Sequence, residues 1–137
     1  MEKMLKDSCE HVRVMNGFEY DTSQTGFNAV LKNWQLKTMQ IVWSSREGAN
    51  SRTVWIKVNQ ALKGETISRA SIINFLEAMR GMEVISGEEK TGKGGHHWVY
   101  YPSLDETGFK RFITETLLDS LMRDFPEETK VVINQVS

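Results

Sequence analysis

The sequence predicts a mainly helical chain carrying one small antiparallel β ribbon. Three observations predict it. Apolar residues recur three and four apart in the separate stretches 33–43, 52–62 and 69–82, the spacing of one buried helix face. A longer stripe at the same spacing runs from Phe109 to Phe125. Between the last two lies EVISGEEKTGKGGHHWVYY, two strand-prone runs around a glycine-rich tip.

In chain order, residues 1–32 leave two readings open. Val12, Val14, Asn16-Gly17, Phe18 and Tyr20 fit a hairpin. A helix from Glu2 to about Val14 fits equally well. DTSQTG, residues 21–26, then reads as a loop. Asn33–Trp43 reads as a core helix, apolar over a broad arc through Trp34, Leu36, Met39, Ile41, Val42 and Trp43. SSREGANS breaks it. Ser51 is the expected N-cap of a helix over Arg52–Leu62, with Val54, Val58, Ala61 and Leu62 inward. Lys63-Gly64 ends that helix, the glycine suiting a left-handed position. Ser68 is the expected N-cap of the next, whose inward face is Ile72, Phe75, Leu76, Met79 and Met82. Its other face carries Arg69, Ser71, Asn74 and Glu77, with Ile73 beside them. After the ribbon, Ser103 and Glu106 have the spacing of a capping box. Pro126 breaks or restarts the long helix, and PEETKVVINQV adds a turn or two. The expected organisation is an N-terminal extension over 1–32, a central domain over 33–102 and a C-terminal helical segment over 103–137.

Composition narrows the class. The chain has 137 residues, 39% hydrophobic and 26% charged, ordinary values for one globular domain. No apolar run approaches the ~20 residues of a membrane span. MEKMLKDSCEH shows no secretory signal. Cys9 is the single cysteine, which fits a reducing cytoplasm and leaves no multi-cysteine metal site. Net charge is -1, but residues 33–102 hold 9 basic and 6 acidic residues while 103–137 hold 4 and 7. The centre is mildly basic and the end acidic.

Two short helices joined by a tight glycine-containing turn, followed at once by a basic-tipped ribbon, give the order of a winged helix-turn-helix. That order predicts double-stranded DNA as partner. The reading residues are then Ser68, Arg69, Ser71, Ile73 and Asn74, on a helix entering the major groove end-on. Phosphate contacts fall to Arg52, Lys57, Lys90, Lys93 and His96. Glu88 and Glu89 oppose this by cancelling the lysines of the tip. The stripe Phe109, Phe112, Ile113, Leu117, Leu121 and Phe125 is larger than such a domain needs, and predicts pairing with a second copy. No cofactor, metal site or catalytic constellation is expected. His96 and His97 are adjacent on a strand and point to opposite faces. TGKGG lacks a phosphate-loop frame, and Cys9 with His11 has no orienting partner.

On NWQLKTMQIVW, SRTVWIKVNQAL, SRASIINFLEAMRGMEVI and HHWVYYPSLDE, the chain resembles the penicillinase-repressor-type branch of winged-helix transcriptional regulators. The broader multiple-antibiotic-resistance-type regulators share the same order of elements. The resemblance covers about residues 33–125. It implies a homodimer that binds a palindromic operator and blocks transcription. This chain has Ala70 and Ile73 where such relatives usually carry Lys or Arg. It also lacks the C-terminal cysteine cluster of copper-responsive relatives, and no cleavage signal matches that of beta-lactam-responsive ones. The effector is not specified by the sequence. The competing expectation is a winged helix that binds another protein, favoured by the near-neutral charge, Glu88-Glu89 and the apolar residues of the third helix.

Overall fold

The structure, a computed structural model, describes residues 18–92 and 95–136. Val12, Val14, Asn16-Gly17, Cys9, His11 and Lys93 lie outside those residues, so the helix reading of the N-terminal stretch and the first arm of the hairpin reading fall there. Phe18 and Tyr20, the second arm of the hairpin reading, lie in irregular chain. The molecule is mainly helical with a small three-stranded antiparallel sheet. It divides into two compact units between Ser103 and Leu104. No described helix is long and apolar enough to cross a membrane.

The first unit begins with a loop. Asp21 accepts from the backbone N–H of Ser23 at 2.9 Å and from its hydroxyl at 2.6 Å, a local turn that a short acidic side chain stabilises. A 3-10 turn over Gly26–Ala29 follows, and Phe27 packs its ring 5.4 Å from that of Trp43. Helix α1 spans Asn33–Ser44, started where Gln35 Oε1 accepts from the Lys32 backbone N–H at 2.8 Å. Strand β1 is only Ala49–Asn50. Helix α2 spans Ser51–Ala61 and α3 spans Arg69–Gly81. Strands β2, Ile85–Gly92, and β3, Gly95–Pro102, form the ribbon.

Two expectations need correction here. The N-cap of α2 is Asn50, whose side chain accepts from the Thr53 backbone N–H at 2.8 Å; Ser51 is the first helical residue. Asn accepts this role as readily as Ser. The sheet also has three strands, because Ala49 and Asn50 pair with Tyr100 and Val99. A two-residue strand carries no alternation to read, so nothing in SSREGANS announced it. The Ser68 cap does form: its hydroxyl oxygen accepts from the Ser71 backbone N–H at 3.1 Å. Gly64 takes the left-handed φ of +80°.

The core of this unit joins Met39 and Val42 of α1, Val54 and Val58 of α2, and Ile72, Phe75, Leu76 and Met79 of α3. Val84, Ile85 and Tyr100 of the ribbon's base complete it, all buried. The inward faces predicted for α2 and α3 are therefore the ones buried, apart from Ala61 at the exposed end of α2. Trp34 meets Phe75 edge-on at 5.6 Å, a favoured aromatic geometry.

In the second unit, α4 spans Glu106–Asp124 and α5 spans Pro126–Val136. The cap of α4 is Asp105, not Ser103: its carboxylate accepts from the Gly108 backbone N–H at 2.7 Å. A carboxylate at this end also meets the positive pole of the helix. Pro126 restarts rather than ends the helix, since the first helical position needs no N–H bond. Thr129, buried, fixes the joint by donating its hydroxyl to the carbonyl oxygens of Phe125 at 2.6 Å and Leu121 at 3.1 Å. The eleven residues of α5 exceed the turn or two expected.

Candidate nucleic-acid interface

The first turn of α3 is presented outward. Ser68, Arg69, Ala70 and Asn74 are exposed, and Ser71 and Ile73 are half-buried. All five expected reading residues therefore lie within one and a half turns of the helix start, with no core role among them. Three of them already have partners. Ser68 donates its hydroxyl to that of Ser71 at 2.9 Å, and Arg69 Nη2 donates to Ser51 Oγ at 3.2 Å. The Arg69 bond ties the first turns of α2 and α3 together. It places the guanidinium beside the helix that carries Arg52 and Lys57, both exposed and without an ion pair among the described residues.

Asn59, absent from the sequence-based set, holds the connection between the two helices. Its amide oxygen accepts from the Ile67 backbone N–H at 2.9 Å, and its amide nitrogen donates to the Ile67 carbonyl at 3.1 Å. Trp55 Nε1 donates to the same carbonyl at 2.9 Å. The chain entering α3 is thus fixed one residue before its cap. A lone Asn on a helix gives no sequence signal for this, because the partner is backbone eight residues on.

Side chains of the ribbon pair with one another. Lys90 Nζ lies 3.4 Å from Glu88 Oε1, and His96 Nδ1 lies 3.6 Å from Glu89 Oε2. Lys90 also sits 5.9 Å from the Tyr101 ring. The hydrogen bonds its ammonium donates to Tyr101 and Glu88 raise the Lys90 pKa. These pairs are exposed and weak individually. A phosphate at Lys90 must still compete with Glu88. Of the cancellation anticipated from the sequence, the Glu88–Lys90 part is a physical pairing; Glu89 faces His96 instead, and Lys93 lies outside the described residues. Among the described residues no three His, Cys, Asp or Glu side chains gather as a metal site.

At the ribbon's base the structure builds something the sequence did not signal. Glu77 of α3 accepts from Arg80 Nη2 at 2.8 Å and from the Tyr100 hydroxyl of β3 at 2.7 Å. The Arg80 hydrogen bonds hold the Glu77 carboxylate below its usual 4.5; partial burial opposes this and the Tyr100 hydroxyl adds to it. Tyr100 itself is fully buried. Burial first, then the adjacent carboxylate, push its phenol well above the usual 10.0. The signs follow. A phenol raised by the fold stabilises fully below pH about 10 and loses that contribution as pH rises through its folded value. A lowered carboxylate contributes above its usual 4.5 and loses it as pH falls through its folded value. Urea melts of Tyr100→Phe and the native chain at pH 8 and 11 are expected to show a steeper alkaline loss in the native chain. Parallel losses in both would refute the assignment to Tyr100.

The expected pairing stripe is split by the structure. Phe109 and Ile113 are buried, Phe112 and Leu117 are half-buried, and Leu121 and Phe125 are 47% and 58% exposed. Phe109 and Phe112 stack at 6.2 Å. Leu118 and four residues of α5, Val131, Val132, Ile133 and Val136, join the exposed apolar set.

No known protein family, curated protein or solved structure matches this chain.

Proposed function

We propose that the chain is a sequence-specific DNA-binding transcriptional regulator of winged helix-turn-helix type, acting as a homodimeric repressor on a palindromic site. The observation that carries this is the outward polar first turn of α3. Arg69 ties it to α2, and the ribbon stands at the other end of the same helix. On this reading α3 enters the major groove, with Asn74 and Arg69 available to base edges. Arg52 and Lys57 meet phosphates, and the ribbon is the wing. The likeness to penicillinase-repressor-type regulators in the order of elements supports the same reading.

A fluorescence anisotropy titration against duplexes selected from a random pool, at ~50 mM salt, is the test. Specific binding is expected. Asn74→Ala should cost about 1–3 kcal/mol on the selected duplex and little on unrelated ones. Arg52→Gln should weaken all duplexes and reduce the salt slope by about one. A folded dimer that binds no duplex would sink the proposal.

The Lys90–Glu88 and His96–Glu89 pairs favour one second reading, a winged helix that docks on another protein. Lys90→Glu separates the two: a DNA reader loses affinity, whereas a protein-docking domain keeps its partner.

A further inference from the structure

Three elements meet at Arg80. Its guanidinium forks onto Glu77 of its own helix, with Nη2 at 2.8 Å from Oε1 and Nε at 3.3 Å from both carboxylate oxygens. The same guanidinium lies over the Trp98 ring of β3, 4.9 Å from its centroid. Its stem crosses β2 at Gly87, where a Cβ would stand 2.8 Å from Arg80 Cδ and 3.2 Å from Trp98 Cε3. From below, the buried Tyr100 pins Glu77 through its hydroxyl. Gly87 pairs with Tyr100 and Glu89 with Trp98, so these ribbon residues share one face, turned to α3.

We propose that Arg80 is a positioning residue that fixes the angle of the ribbon on α3. Neither ribbon strand touches α3 through a comparable set of polar contacts elsewhere among the described residues. Strand β1 pairs only with Val99 and Tyr100, so toward its tip the ribbon has two strands, an arrangement that is marginally stable by itself. The guanidinium suits the task because its planar fork bonds Glu77 while its face stacks on Trp98; a lysine does not do both. Resting on the DNA-binding reading, the consequence is that the clasp lets Lys90 on the ribbon and Asn74 on α3 engage one duplex together. Arg80 then governs affinity without touching DNA.

Residual dipolar couplings of the β2–β3 amides, compared with those of α3, test the clasp without any ligand. In Arg80→Ala the ribbon couplings should shrink while those of α3 hold. Native couplings in the ribbon of that variant would overturn the proposal. Duplex binding tests the consequence. Glu77→Gln removes a negative charge, which by charge alone tightens binding to DNA; the clasp predicts weaker binding, and tightening would overturn it. Lys90→Gln should lower the salt slope by about one in the native background and leave it unchanged in Arg80→Ala. Equal reductions in both backgrounds would also count against the proposal. A native chain that binds no duplex removes the DNA reading instead, and the dipolar couplings still decide the clasp.

Discussion

Gly48→Ala is expected to destabilise the first unit by about 2–5 kcal/mol. Two costs combine. Gly48 has φ +97°, where a side chain costs about 1–2 kcal/mol. A Cβ there would also stand 2.5 Å from Val99 Cγ1 and 2.7 Å from the Tyr101 ring, and such overpacking costs about 1–3 kcal/mol. Neither neighbour yields easily. Val99 and Tyr101 lie on the ribbon strand that pairs with β1, and Val99 is the partner of Asn50, which caps α2. Moving them separates β1 from β3 and disturbs the start of α2 together. Gly64→Ala is the control: its φ of +80° is similar, but nothing lies within 4 Å of its Cβ. It should lose only the backbone part, about 1–2 kcal/mol. Urea unfolding of the two variants measures the difference, and equal losses would disprove the packing argument.

Gly48 also marks where the sequence stopped being legible. Helices α2 and α3 follow from periodicity, because each buries one face and the pattern records it; the ribbon follows from two strand-prone runs around a glycine-rich tip. Ser68 and Gly64 were readable since each does a local job with local partners. What escaped depends on partners distant in sequence. Strand β1 exists only because β3 arrives beside it. Asn59 acts on backbone eight residues away, and Glu77 on a phenol 23 residues away. Glu77 and Arg80 sit at helix positions that read as solvent face, and only the placement of Tyr100, Trp98 and Gly87 gives them a role. The caps at Asn50 and Asp105 were each displaced from a serine to a nearby Asn or Asp. Several acceptable caps lay close together there, and sequence ranks them almost equally.

The second large effect concerns the C-terminal unit. Seven of the ten exposed large apolar side chains among the described residues fall within 118–136: Leu118, Leu121, Phe125, Val131, Val132, Ile133 and Val136. Exposed apolar side chains in this number are what the proposed association surface requires. A helical unit this short does not usually hold itself without a partner. The proposed homodimer supplies one: a self-complementary face formed by the end of α4 and all of α5, shifted away from Phe109 and Ile113. Leu121→Glu combined with Phe125→Glu is therefore expected to give a monomer by sedimentation. Both side chains are exposed in the single chain, so the urea midpoint of the first unit should stay unchanged. Each monomer then binds one half-site alone. Linking two half-sites raises affinity by about 10²–10⁴-fold, so a palindromic duplex should lose at least ~100-fold while a single half-site loses none. A double variant that still sediments as a dimer would place the interface elsewhere. One that becomes monomeric yet keeps full affinity for the palindrome would show that the two copies read DNA independently.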